Sequence, residues 1–184
     1  MPPEIADGRL RKGALRRRAL LDAALRLIGR SGVAAVTQRG VATEAELPPS
    51  AVLYYFASVD ELLVTALREV NDRYVDDLSA VESLDALADL IADYATQDRE
   101  RTIAEYDLYL LAARRPDLRE ELERWDRALD DLARRLAPTR AELLAAALNG
   151  LYLRAVTSGI DHASVTRVLS AAAGQQPDSK AART

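Results

Sequence analysis

The 184-residue chain has no cysteine. Disulfides, thiolate zinc sites and cysteine nucleophiles are therefore excluded. It has one histidine, one tryptophan, one phenylalanine and one methionine. Histidine-based metal clusters and triads have little to draw on, and the sequence offers neither a metal-spaced group nor a glycine loop for cradling phosphates. No metal or cofactor is implied, and catalysis is not the expected role. No apolar run approaches the roughly 20 residues needed to cross a bilayer. The first eight residues lack the basic start and apolar core of a signal peptide. The expectation is a soluble cytoplasmic protein with no membrane partner.

Glycine (eight) and proline (seven) are also scarce and fall mostly between periodic segments. Hydrophobic residues make up 49 % of the chain, and alanine, leucine and arginine, all good helix formers, dominate. The fold class is all-α, with about nine helices. Charge is segregated along the chain. From Arg9 to Arg39 there are nine basic residues against one acid, Asp22; from Arg73 onward 15 basic residues face 20 acidic ones. A basic end on an acidic body suits a head that binds a polyanion.

Apolar spacing and breakers define the segments. Residues 1–13 form a basic flexible arm. A first helix covers 14–30, with Leu21, Ala24, Leu25 and Ile28 as its buried stripe, and Ser31-Gly32 ends it. Thr37 caps a second helix over 38–45. Gly40 inside it suggests close approach to a partner. A third helix begins near Pro49 and ends at Tyr55, followed by Phe56, which is expected in the core. Ser58 and Glu61 form a capping box for a fourth helix that continues to residue 78. Longer helices follow over 84–96, 99–114, 117–136, 140–158 and 163–173. The sixth is expected to turn Ile103, Tyr106, Leu110 and Leu111 inward, and Thr139 with Glu142 to cap the eighth. The polar tail, 175–184, reads as disordered.

The second and third helices, broken at Glu46-Leu47-Pro48, make a helix-turn-helix, a unit that sets its second helix into a DNA major groove. Pro49, Ser50 and Ala51 stand where side chains meet base edges, and Arg39 suits a bidentate contact to guanine. Thr37, Gln38, Tyr54 and Tyr55 suit phosphates, which fix register. Arg16 and Arg17, within the basic run Arg9–Arg18, can reach the backbone or an adjacent minor groove.

Residues 18–65 resemble the DNA-binding domain of the tetracycline-repressor (TetR) family. The resemblance lies in Leu20-Leu-Asp-Ala-Ala-Leu-Arg-Leu-Ile28, Gly32, Val36-Thr37, Arg39-Gly-Val-Ala42, Val52-Leu-Tyr-Tyr-Phe56 and Ser58-Val-Asp-Glu-Leu-Leu63. It covers about a quarter of the chain, with several motifs agreeing in order and spacing. Three departures from the family pattern stand out: Glu46 where the turn usually has glycine, Pro48 and Leu53 where the motif usually has the serine that begins the third helix and another tyrosine, and Val59 where a lysine usually follows the capping serine. The resemblance places the DNA-binding domain at 14–65 and implies that 66–174 form a ligand-binding and dimerising domain.

Helix eight is apolar around much of its circumference, so it needs partners on more than one side. Leu144, Leu148 and Leu151, with Val165, Val168 and Leu169 of the ninth helix, are the expected dimer contacts. Tyr94, Tyr106, Tyr109, Trp125, Asn149 and Tyr152 are the expected lining of a small-molecule site. The sole histidine, His162, reads as a helix-start residue. The resulting expectation is a homodimeric repressor of transcription. It binds a palindromic double-stranded DNA operator and is released by a small-molecule effector. An activator with the same fold is compatible with the sequence. The alternative is a helical adaptor whose basic head binds an anionic partner without reading DNA sequence.

Overall fold

A computed structural model describes residues 3–96 and 99–175. Among these residues all regular structure is helical. The nine α-helices are α1 (Pro3–Ser31), α2 (Gln38–Glu44), α3 (Ser50–Tyr55), α4 (Val59–Ala80), α5 (Leu84–Thr96), α6 (Arg99–Ala112), α7 (Arg119–Leu136), α8 (Ala141–Thr157) and α9 (His162–Ala173). Short 3₁₀ turns at Val33–Ala35, Pro116–Leu118 and Pro138–Arg140 join some of them. No described helix is long and apolar enough to cross a membrane.

The chain divides into two compact units. The first joins the residues up to Val70 with Ile103–Leu118; the second joins Asn71–Thr102 with the residues from Arg119 onward. In the first unit α1 packs on α2 and α2 on α3. Leu20, Leu21, Ala24, Ile28, Val41, Ala42, Val52, Phe56 and Leu62 are its buried centre, and Phe56 is only 1 % exposed. The Arg115 guanidinium binds the Asp60 carboxylate at the start of α4 and the Asp117 carboxylate nearby, tying the 103–118 segment to the head within this unit. In the second unit α8 packs against α5, α7 and α9, and α5 also packs on α9.

The helix starts follow their caps. The Thr37 side chain accepts from Gly40 N at 3.0 Å, and Ser58 Oγ accepts from Glu61 N at 3.0 Å. The Glu61 carboxylate accepts in return from Ala57 N, completing the box one residue before the cap. His162 begins α9, but Asp161 caps it by accepting from Ser164 N at 2.8 Å.

Four expectations need correction. The helix expected from residue 14 starts at Pro3, so the stretch read as a flexible arm continues the helix. Leu10, Arg11, Lys12 and Ala14 are good helix formers and proline is tolerated in a first turn, so nothing stops α1 there. Thr139 does not cap α8: the 3₁₀ turn Pro138–Arg140 precedes it, and no side chain caps its start. The face of α6 is rotated from the expected one, with Thr102, Ala104, Glu105, Leu108 and Ala112 buried and Leu110 exposed. Gly40 answers to its own chain. A Cβ there would meet Thr37 Oγ1 at 3.0 Å and the Ala35 carbonyl oxygen at 3.3 Å. The tail expected to be disordered lies, apart from Gln175, outside the described residues.

Candidate nucleic-acid interface

Two short helices and a tight turn form one face of the first unit. The turn closes through Glu46 N to Thr43 O at 3.1 Å and Leu47 N to Ala42 O at 2.9 Å. Glu46 has φ 56°, the left-handed region that favours glycine. Gln38 Nε2 then donates to the Pro49 carbonyl at 3.0 Å, so the start of α2 is tied to the start of α3. That bond takes one amide donor of a residue expected at phosphate.

The periodicity of α3 divides its side chains. Val52 and Phe56 point into the core, while Pro49, Ser50, Leu53 and Tyr54 are exposed and Ala51 and Tyr55 are half-buried. Tyr54 is 79 % exposed, and its ring meets the Tyr55 ring edge-on at 4.8 Å. A large aromatic left in water beside small polar residues at a helix start is unusual for packing and useful for a partner. Lys12, Arg16 and Arg17 of α1 share an open groove of about 860 Å³ with Ser50, Ala51, Tyr54 and Tyr55. Thr37 and Arg39 are exposed at the start of α2, and Arg39 makes no hydrogen bond or ion pair among the described residues.

The basic run is less available than its count suggests. Arg18 pairs with Asp22 at 3.0 Å and Glu69 at 2.6 Å. Arg26 and Arg30 both grip the Glu44 carboxylate, Arg26 at 2.7 Å, and so lock α1 to α2. Those two guanidinium hydrogen bonds, Arg26 first, hold the Glu44 carboxyl below the usual carboxylate range. Arg17 lies over Phe56, 4.9 Å from the ring centroid, and has a structural partner as well as a place in the groove. Lys12, Arg16 and Arg39 remain as exposed cations near α2 and α3, and Arg11 is exposed on α1.

The second unit gathers part of the expected small-molecule site. Tyr94, Trp125 and Tyr152 are buried together with Tyr74, which sequence reasoning missed. Tyr74 and Trp125 stack with centroids 4.1 Å apart, and Tyr152 contacts the rings of Tyr74 and Tyr94 at 6.2 and 5.6 Å. The pattern Val70, Tyr74, Leu78 on α4 was the signal that could have revealed Tyr74. Tyr106 and Tyr109 belong to the first unit, and Asn149 is exposed on α8. Burial, with the neighbouring Tyr109 and Glu105 adding to it, pushes the Tyr106 hydroxyl well above the usual tyrosine range.

The expected dimer contacts divide as well. Leu144, Leu148, Leu151, Val165 and Leu169 are buried within the single chain, because the apolar circumference of α8 meets α5, α7 and α9. Only Val168 of the expected set is exposed. The outward stripe of α8 is Leu143, Ala146, Gly150 and Leu153, with the two leucines 53 % and 51 % exposed.

An all-helical chain that presents a helix-turn-helix beside exposed cations has the architecture of a DNA-binding regulator. Residues 20–66 match the family of bacterial regulatory proteins, tetR family, and residues 78–175 match a tetracyclin repressor-like C-terminal domain. The chain belongs to the tetR family of bacterial transcriptional regulators. It is 33 % identical over 157 residues to the HTH-type transcriptional regulator BetI of Brucella melitensis, covering 76 % of this chain and 79 % of that protein. Over 158 residues it is 33 % identical to BetI of Rhizobium meliloti, covering 76 % and 77 %. A TetR-family structure from Streptomyces coelicolor A3 superposes with a TM-score of 0.72 at 32 % identity, covering 85 % of this chain and 97 % of that one. The multidrug binding protein EbrR, complexed with malachite green, superposes with a TM-score of 0.68 at 32 % identity, with the same coverage.

Proposed function

We propose that this regulator is a repressor that binds a palindromic operator as a homodimer and is released by a small-molecule effector. The observation that carries the DNA part is α3: its core face is filled by Val52 and Phe56, while Ser50 and Tyr54 stand in water beside Lys12 and Arg16. Ser50 and Ala51 meet base edges in this reading, with Arg39 available for a guanine. Thr37, Tyr54 and Tyr55 take phosphates, and Gln38 contributes to phosphate only with the donor not given to Pro49. Lys12, Arg16 and Arg17 bind the flanking backbone.

The homodimer is supported by the outward stripe of α8. Leu143, Ala146, Gly150 and Leu153, with Val168 on α9, form an apolar surface with small residues at its middle, suited to close packing against its own copy. Twofold symmetry in the protein requires inverted half-sites in the DNA. The effector is supported by the family and by EbrR, whose solved complexes contain ethidium, malachite green and proflavin. An effector lowers operator occupancy only by binding the DNA-free form more tightly than the bound form.

Selection of bound duplexes from a random library near physiological salt tests the reading. One enriched sequence with two inverted half-sites is the expected result. Retention without enrichment favours a head that binds polyanions without reading sequence.

A further inference from the structure

The six residues of α3 include no arginine, lysine, asparagine or glutamine, the side chains that read bases through paired hydrogen bonds. Ser50 and the hydroxyls of Tyr54 and Tyr55 are its only polar side-chain groups. A helix that meets DNA with this set cannot choose among bases mainly by hydrogen bonding. Its exposed apolar residues are therefore the place where a choice can be made. Leu53 is 53 % exposed on α3, and Pro49 is exposed immediately before the helix.

Helical spacing sorts these side chains onto two flanks. Leu53 follows Pro49 by four residues and Ser50 by three, so the three share one flank. Ala51 and Tyr55 are on the other flank, where they line the groove with Lys12, Arg16 and Arg17. Val52 and Phe56 fill the core face between the flanks. One flank thus stands beside cations suited to phosphate, and the opposite one is mainly apolar. Single exposed leucines are ordinary, and Leu15 and Leu110 of the same unit need no partner. Leu53 differs in its company. It shares its flank with Ser50, and Gln38 ties Pro49 of that flank to the start of α2, next to the exposed Arg39.

We propose that Leu53 is a specificity-determining residue: with Pro49 beside it, it reads the C5-methyl groups of thymines in the operator's major groove. The inference rests on the reading of the chain as an operator-binding regulator. The chemistry of the groove decides the base. Thymine alone presents a methyl group there, and apolar contact with that methyl is a direct way of recognising it. Cytosine offers an amino donor, guanine two acceptors, and adenine one of each. A leucine laid over any of those edges displaces water and returns no hydrogen bond, which penalises the wrong base. Leu53 therefore favours A·T pairs under α3 both by what it buries and by what it leaves unpaired. The division of labour is then complete: Arg39 of α2 supplies the hydrogen-bonded contact, Leu53 the apolar one, and Lys12 and Arg16 the phosphate contacts that carry no sequence information.

The test uses the full chain and the duplex it selects from the random library. Each thymine of the half-site is replaced in turn by deoxyuridine, in both halves together, and affinity is measured at one salt concentration. Uracil keeps every hydrogen-bonding group and every phosphate and lacks only the methyl. At one or two positions the replacement is expected to weaken binding about fourfold per methyl, or about fifteenfold for the two halves. Leu53→Ala is expected to weaken binding of the thymine duplex by at least that factor and to make uracil at those positions cost less than about twofold, because the partner of the methyl is gone. Leu53→Met, which keeps an apolar side chain of similar size, should retain the sensitivity to uracil. The dependence of affinity on salt should be the same for Leu53→Ala as for the unaltered protein, since no phosphate contact is lost. Thermal unfolding checks that the variants are folded. A selected site without sensitivity to uracil, or a sensitivity that survives Leu53→Ala, overturns the inference and leaves the regulator reading intact. Operator affinity unchanged by Leu53→Ala also overturns it and assigns the apolar flank to a protein contact instead. Failure of the unaltered protein to select any sequence defeats the regulator reading and this inference with it.

Discussion

Gln38 Nε2 donates to the Pro49 carbonyl at 3.0 Å, and through that bond the first residue of α2 sets the position of α3. Pro49 itself precedes α3, so the bond acts where Ser50 and Ala51 must be aimed. Gln38→Ala is expected to cost about 0.5–1 kcal/mol of stability, since the exposed carbonyl can turn to water. Its effect on DNA affinity should be larger, because a mispositioned helix loses several contacts together. Denaturant unfolding and DNA titration of one variant separate the two. Equal losses in both would reduce the bond to ordinary stability.

Glu46 is the one described non-glycine residue with positive φ, and it stands at the turn where the family usually has glycine. Glu46→Gly is expected to stabilise the fold by about 0.5–1 kcal/mol by relieving the left-handed backbone. It also removes a carboxylate from beside the proposed phosphate path. Tighter DNA binding, most evident at low salt, is the expected accompaniment. A less stable variant would contradict the account of the turn.

Gly150 has nothing within 4 Å of a Cβ placed on it, so a large side chain there leaves the single chain undisturbed. In the middle of the α8 stripe the same side chain would hold two copies apart. Gly150→Trp is expected to stay folded, sediment as a monomer and lose operator binding. A dimeric Gly150→Trp would move the interface elsewhere.

The clasp of Arg26 and Arg30 on Glu44 makes the head sensitive to acid. Because the folded-state pKa of Glu44 is lowered, its contribution is complete above the unfolded value of about 4.3 and is lost as pH falls through the folded value below it. Glu44→Gln should therefore be less stable than the unaltered chain at pH 7, with the gap closing in that acidic range. A gap that is constant with pH would remove the clasp from the account.

The helices were legible because breakers and caps punctuate a 3.6-residue rhythm: Thr37, Ser58 and Pro116 each mark a boundary that folding obeys. The faces were less legible. Helix α6 buries Thr102 and Glu105 and exposes Leu110, so hydrophobicity alone turns it the wrong way. On α8 both the core face and the outward stripe are apolar, and sequence cannot say that Leu148 packs inside while Leu143 faces out. Charge was legible as a count but not as availability, since three of the early arginines are spent on Asp22, Glu44 and Glu69. Tyr74 was missed because its partners, Trp125 and Tyr152, lie far away in sequence and come together only through packing.

The most direct measurement repeats the duplex selection with Arg39→Ala beside the unaltered protein. Arg39 is exposed on α2, makes no hydrogen bond or ion pair among the described residues, and can be truncated without disturbing the fold. A twofold-symmetric helix-turn-helix predicts an inverted-repeat site in which the variant loses base preference at one matching position in each half, at about 1–3 kcal/mol per contact. No inverted repeat with the unaltered protein, or a change in one half alone, would contradict a homodimer reading DNA through α2 and α3.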